Sequence, residues 1–446
     1  MPYGSPSPIL ADIAAMQAAG ILPSQALTSQ IQALVSGGVI PVIPGGTLVL
    51  LGDSITDMCG GLRLSGSQEN YPAQGYWSWA QSILGYRFGR VVNAGISGDT
   101  LEGMDSRFAT DVAAYSPAVV SLFGGVNNSL SSVNAGNIEA KFVTATAAIA
   151  SIYVKAMLIN AALVIGTVSP FAPGAAPTSA MYQMRARLNQ FIRNFVGVNK
   201  NAILADYAAA MTDPTTSGLA VGTTDGGPAL IYDNLVHPSA SGAMVIGTTL
   251  AAAISTWFNT ARRLPFGKEP GQFVTNPTLA GSNGTSIPTN WNVASGGGIT
   301  FSFAYADRSD GVAGKQIVCT QTAGTGEVRI FTFDTIDPSV AVGSKLIGAV
   351  EIELLQTAAQ LTSAGIYLQA FNGSFATLAT TDCMRDSSFN SGGLTRQLDA
   401  KSVIPKKMTL VTPPLVIPAG AATIGLTIQL YGPLTATIKS AVVFAA

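Results

Sequence analysis

Short apolar runs alternate with stretches of helical period between Thr47 and Arg263, and beyond Pro265 the pattern changes to alternation with a period of two. In the first zone the runs Thr47–Leu51, Arg90–Asn93, Val119–Phe123, Ala162–Thr167 and Ala202–Asp206 predict strands. Between them Tyr76–Leu84, Ile138–Met157, Tyr182–Phe195 and Ser239–Phe258 carry apolar residues at helical spacing. Near-continuous apolar strands interleaved with helices predict a parallel sheet covered on both faces, a three-layer α/β/α domain over residues 46–264. Ligands of such sheets bind beyond the carboxyl ends of the strands. Ser54, Gly98 and Asn127 each fall just past a predicted strand end.

The second zone, residues 265–446, is rich in Thr, Val, Ser, Gly and aromatic residues. Runs such as Ile299–Phe303 and Val328–Phe333 alternate in polarity and are separated by turn residues, which predicts an antiparallel β-sandwich. Residues 1–45 stand apart from both zones. Ile9–Ala19 and Ser24–Val35 have helical spacing, and Gly37, Gly38, Pro41 and Pro44 then break the pattern. An N-terminal helical attachment segment is expected there.

Composition narrows the function classes. Charged residues are only 11% of the 446, against roughly 25% in ordinary soluble proteins. With 48 glycines and many hydroxyl side chains, the surface is expected to be solvated by hydroxyls and amides, as in extracellular or virion-associated proteins. The net charge of −1 and the absence of a basic run point away from nucleic acid and from an anionic membrane as partners. The apolar stretch from Ala156 to Val168 is interrupted by Asn160 and is too short to span a bilayer. The start, MPYGSPSPILADIAAMQ, shows no secretion signal. Cys59, Cys319 and Cys383 lack metal-like spacing; buried free thiols are expected, with a Cys319–Cys383 bridge as the alternative.

One histidine, His237, occurs in the whole chain, within the run IYDNLVHPSASG. A base that titrates near neutrality is what a serine hydrolase needs, and His237 has no rival for that part. The matching serine is Ser54, in the triplet Gly52-Asp53-Ser54 that follows the apolar run TLVLL. A serine on a strand-to-helix turn stands beside backbone amides able to face a developing oxyanion. Two further segments lie between them: NAGISGDTL, with Gly98 on a glycine-permitted turn, and FGGVNNSL, with the carboxamide of Asn127. The lipase elbow G-x-S-x-G is absent, against an ordinary α/β-hydrolase.

These four segments, in this order, resemble the SGNH, or GDSL-type, hydrolase family. The resemblance implies that Ser54 is the nucleophile and His237 the base. It also implies an oxyanion hole built from the Ser54 amide, the Gly98 amide and the Asn127 side chain. Family members usually carry an aspartate three residues before the histidine; here that position is Asn234, and Asp233 lies one residue earlier. Either Asp233 reaches His237 as the third catalytic residue, or the site works as a Ser-His dyad. Asn128 likewise stands where the family usually has aspartate. Asp53 and Asp99 are expected to bind backbone amides of their turns. No cofactor is implied, and with one histidine and no ligand-spaced cluster no metal is expected.

The stretch NPTLAGSNGTSIPTNWNV at the start of the second zone resembles the opening of jelly-roll carbohydrate-binding modules. Trp291, Tyr305, Tyr367, Phe371 and Tyr431 are candidates to stack on sugars, against the alternative that they fill a sandwich core. Together the two zones imply a serine esterase that removes short acyl groups, O-acetyl above all, from a polysaccharide or other glycan ester. Phage tail proteins pair such parts, and a trimer would be natural for one, although no heptads show it. The rival readings are a non-catalytic glycan adhesin or virion structural protein on the same fold, and a lipase or thioesterase.

Overall fold

A computed structural model describes residues 46–257 and 273–445. In the first span 60–61, 64–74, 85–87, 89, 132, 171–177, 213–229, 232–235 and 239 are not described; in the second, 282–286, 311–313, 325, 338–339, 357–362, 384–406, 413 and 433. The expected segment at 1–45 and the boundary near residue 264 lie outside the described residues.

Six strands form a parallel sheet: β1 (Thr47–Gly52), β2 (Leu62–Arg63), β3 (Arg90–Gly95), β4 (Val119–Phe123), β5 (Ala162–Gly166) and β6 (Ala202–Ala205). Their order is β2-β3-β1-β4-β5-β6. Every residue of β4 and β5 is buried, because helices cover both faces of the sheet. The chain winds to one side from β1 through β3 and to the other from β4 onward. The carboxyl end of β1 is therefore the point where strand order reverses, the usual place for a ligand crevice.

The intervening helices are α1 (Ser54–Asp57), α2 (Tyr76–Ile83), α3 (Leu101–Ser106), α4 (Phe108–Asp111), α5 (Val126–Leu130), α6 (Ile138–Leu158), α7 (Ser179–Val198), α8 (Tyr207–Met211) and α9 (Ala240–Trp257). By length and composition alone α6 could cross a membrane. Its buried positions Ala145, Ala148, Ile149, Ile152, Tyr153, Ala156 and Met157 recur at three and four residues, the stripe of a helix laid on a sheet. The long strands and helices expected from the sequence between Thr47 and Phe258 are all present. Short β2, α1, α3, α4, α5 and α8 carry too few residues to show a period.

The second span is wholly antiparallel. One sheet runs β13 (Thr377–Cys383), β12 (Ser363–Phe371), β16 (Thr423–Tyr431), β10 (Glu327–Thr335), β7 (Asn292–Gly296). The other runs β14 (Lys407–Val411), β11 (Lys345–Gln356), β17 (Leu434–Ala445), β9 (Lys315–Ala323), β8 (Thr300–Asp307), with β15 (Leu415–Val416) on β11. Alternation decides what lies between the sheets. Val328, Ile330 and Thr332 of β10 are buried with Ile366 and Leu368 of β12 and Leu426, Ile428 and Leu430 of β16. This is a β-sandwich. Helix α2 of the first span lies against β14.

Several aromatic side chains considered for sugar stacking are buried, Tyr367 and Phe371 on the face of β12 opposite to Ile366 and Leu368. Trp291 is 1% exposed and donates its Nε1 hydrogen to Asn276 O at 3.1 Å, while Tyr367 and Phe371 are also buried. Half-buried Tyr305 donates to Leu279 O at 2.5 Å and Tyr431 to Glu327 Oε2 at 2.6 Å, tying chain segments together. Among the described residues of this span, the aromatic side chains that face solvent are Phe333 and Phe375, with ring centroids 5.7 Å apart. Cys319 is a buried free thiol, as is Cys59, so the alternative of a Cys319–Cys383 bridge does not hold. Those two cysteines are on β9 and β13, strands of different sheets.

Candidate active site

The site grows out of strand β1. Leu48–Leu51 are fully buried, and the strand ends at Gly52, one residue before Asp53 caps the short helix α1. The Asp53 carboxylate accepts from Ile55 N at 3.0 Å, the usual service of an aspartate at a helix start. The next residue, Ser54, is thereby presented at the sheet's carboxyl edge, 8% exposed. Helix α1 sits directly on β3. A Cβ at Gly95 would lie 2.2 Å from Asp57 N, so only glycine permits that approach. Asn93 completes the joint, donating from Nδ2 to Thr56 O at 3.0 Å and accepting from Gly95 N at 2.9 Å.

Beyond β3 the chain turns through Ile96-Ser97-Gly98-Asp99, closed by Asp99 N donating to Ile96 O at 3.1 Å. Gly98 has φ +82°, the value demanded at the third position of a type II turn. Among the described residues the space in front of it is open: a Cβ there would touch none of them within 4 Å. Asn127 is in α5, which follows β4, and its Nδ2 donates to Asp99 O at 2.8 Å. A primary amide carries two N–H groups, so holding Asp99 leaves a second hydrogen for a substrate oxygen. Thus three loops, after β1, β3 and β4, meet at the reversal point.

His237 arrives from far along the chain. An isolated antiparallel bridge between Ile231 and Pro238 and the start of α9 at Ala240 hold its segment on either side. Its Nε2 lies 2.8 Å from Ser54 Oγ, across 183 residues of sequence. Burial lowers its pKa below the ordinary histidine value, which favours the neutral imidazole that can accept a proton. Ser54 and His237 are therefore brought into hydrogen-bond reach, with the Gly98 turn and Asn127 on the neighbouring loops. Asp233 and Asn234 lie outside the described residues.

Asn128, which stands in place of a family carboxylate, has clear work. Asn128 accepts from Leu101 N at 3.0 Å and donates to Glu102 Oε2 at 2.7 Å, so it fastens the start of α3 to α5. Asp53 is buried, and desolvation pushes its carboxyl up to about 7, aided by the charge of Asp99 and opposed by the bond from Ile55 and by Arg107. Asp57, Ser97 and Arg107 were not suggested by the motifs. Ser97 Oγ donates to Asp57 Oδ2 at 2.8 Å, and Arg107 pairs with Asp99 at 2.7 Å and Asp111 at 2.9 Å. Only the Arg107–Asp111 spacing of four, a helical pair, is visible in the sequence.

An α/β/α sheet with a Ser–His contact at its reversal point defines a hydrolase of the acyl-transfer type. Residues 50–245 match the GDSL-like Lipase/Acylhydrolase family, and this stretch of the chain is a domain of that family, the SGNH hydrolases. An acetylxylan esterase of Geobacillus stearothermophilus is 27% identical over 210 residues, which is 45% of this chain and 90% of that protein. A crystal structure of an acetylxylan esterase from the same organism aligns with 48% of this chain and 95% of its own, at 24% identity and a TM-score of 0.37. A lipolytic protein of the G-D-S-L family from Desulfitobacterium hafniense aligns with 46% of this chain and 98% of its own, at 21% identity and a TM-score of 0.35.

Proposed function

We propose that the protein is a serine esterase that hydrolyses short acyl esters, O-acetyl groups in particular, on a polysaccharide. The observation that carries this reading is the 2.8 Å contact between His237 Nε2 and Ser54 Oγ. Ser54 Oγ attacks the ester carbonyl while His237 Nε2 takes its proton. The carbonyl oxygen becomes an oxyanion within reach of the Gly98 amide and the second Asn127 N–H. Collapse expels the alcohol, which receives the proton from His237. Water, activated by the same imidazole, then releases the acid from the acyl-Ser54 ester.

The glycan part of the proposal has two supports. Ser97 and Gly98 are exposed, and no described residue fills the space in front of Gly98, which suits an ester carried on a bulky chain. The similar acetylxylan esterase offers the same chemistry as a precedent. The β-sandwich is proposed to hold the polysaccharide; among its described residues the surface rings Phe333 and Phe375, 42% and 60% exposed, are the aromatic groups open to a sugar.

The test compares wild type and Ser54→Ala on 4-nitrophenyl acetate and on longer acyl chains. Serine-dependent turnover falling at least ~10³-fold in the variant, with acetate preferred, is the expected result. Preference for long chains would make the protein a lipase instead. Turnover unchanged by Ser54→Ala would refute the nucleophile.

A further inference from the structure

The turn that carries Gly98 is clamped from two directions. On one side Ser97 Oγ donates to Asp57 Oδ2 at 2.8 Å, on the helix that begins with Ser54. On the other, Asp99 Oδ1 accepts from Thr100 N at 2.8 Å and Oδ2 from Arg107 Nε at 2.7 Å. The same guanidinium reaches further. Its Nη1 donates to Ala94 O at 2.8 Å and to Asp111 Oδ2 at 2.9 Å, and its Nη2 donates to Gly52 O at 3.0 Å. Gly52 is the last residue of β1, two before Ser54, and Ala94 is at the end of β3, two before the Gly98 turn begins. Asp99 meanwhile accepts from Asn127 Nδ2 through its main-chain oxygen.

We infer that Arg107 is a positioning residue for the oxyanion hole: acting through Asp99, it sets the Gly98 amide and the Asn127 carboxamide relative to Ser54. The inference rests on the esterase reading above. The argument is one of connectivity. Asp99 is bonded at one end to Arg107 and at the other to Asn127, and it directly follows Gly98. Arg107 in turn grips the main chain on which Ser54 is mounted. A shift of the guanidinium would therefore move donors and nucleophile relative to each other.

Chemistry and packing both suit that part. A guanidinium has donors fixed in one plane, and here they serve three separate chain segments at once; a lysine ammonium cannot span them. The Arg107 and Asp99 side chains are 13% and 12% exposed, so water screens this pair little. Helix α3 leaves room for it: a Cβ at Gly103 would lie 1.9 Å from Asp99 Oδ1. Oxyanion stabilisation is sensitive to such placement. Loss of one donor costs roughly 10²–10³ in kcat, and a displacement of about 1 Å can cost roughly 10²-fold.

The experiment uses the full chain and 4-nitrophenyl acetate. Arg107→Gln is expected to lower kcat by roughly 30- to 100-fold while KM changes less than about threefold, because the donors act on the transition state. Arg107→Lys should recover little. Arg193→Gln, which breaks an ion pair with Asp206, serves as the control for lost stability and should keep near-normal kcat at the same temperature. The deciding readout is the Arg107→Gln, Asn127→Ala double variant. Losses well below the product of the two single effects mean that both residues act on one device. Losses that multiply, or an Arg107→Gln kcat within about threefold of the control, would overturn the inference. Should Arg107→Gln fail to fold, Asp99→Asn takes its place, since it keeps the acceptor for Thr100 N and removes the charge that Arg107 holds. Ser54→Ala in the same assay separates the two levels. If its turnover persists, or wild type shows none and its serine is not labelled by a fluorophosphonate, the esterase reading falls and the inference with it. If Ser54→Ala is dead and Arg107→Gln is not, only the positioning role falls.

Discussion

At the scale of single residues, burial sets the chemistry of the two ionisable groups beside Ser54. Burial disfavours the His237 imidazolium, so the base form persists to lower pH than in a free histidine. The acid limb of kcat/KM on 4-nitrophenyl acetate is accordingly expected to have its midpoint below 6.5, the ordinary value. A midpoint above it would mean that a carboxylate charge outweighs burial. Asp233→Ala separates the two arrangements left open by the sequence: a third catalytic residue predicts a loss of about 10³- to 10⁴-fold, a dyad a near-normal rate. Asp53 works in the opposite sense on stability. Its carboxyl titrates near 3.8 when unfolded and about 7 when folded. Between those values the folded state holds a proton that the unfolded chain has released, so stability declines as pH rises through that window. Asp53→Asn keeps an acceptor for Ile55 N and should flatten the decline, read as a smaller difference in urea midpoint between about pH 4.5 and about pH 8. An unchanged difference would place the titration elsewhere.

At the scale of elements, legibility follows length and period. Strand β1 and helix α6 were readable because a buried strand is a run of apolar residues and a helix on a sheet repeats its apolar positions at three and four. Helix α1 was not, since its four residues contain no period; what makes it is a cap at Asp53 and a flat seat on β3. The seat is testable. Gly95→Ala would push a methyl into Asp57 N, and the overpacking is expected to cost about 1–3 kcal/mol together with a fall in kcat as Ser54 shifts. Thermal unfolding and 4-nitrophenyl acetate turnover on the one variant check both; an intact midpoint would show that α1 can lift freely. Asn128 is a second case. Its place in the motif suggested a substitute for a catalytic-region carboxylate, whereas its bonds to Leu101 N and Glu102 make it a clasp between two helix starts.

At the scale of the whole molecule, esterase and sandwich divide the proposed labour. A chain ending at residue 264 should keep serine-dependent cleavage of 4-nitrophenyl acetate and lose retention on an acetylated polysaccharide, measured by sedimentation with the insoluble glycan. Retention by the shortened chain would move glycan binding to the esterase. Because α2 lies against β14, the shortened chain is also expected to unfold at a lower temperature. The aromatic groups show how face selection works at this scale. On a strand, neighbouring side chains point to opposite faces, so register decides which face a ring takes and its neighbours decide how far it is covered. Ile366 and Leu368 of β12 fall between the sheets, whereas Phe371 lies on the outer face beside Phe333, ring centroids 5.3 Å apart, and is buried there by its neighbours.

The long strands and helices, the sandwich texture, and the candidates Ser54, Gly98, Asn127 and His237 were legible in the chain alone, because period, turn chemistry and a unique histidine are local properties. Tertiary structure alone decided that β1 is the point of reversal, that His237 meets Ser54 across 183 residues, and that Arg107 binds two strand ends and Asp99 at once. Those are distances between segments remote in the chain. They follow from which strands pair and which faces are buried, and no window of neighbouring residues contains that information.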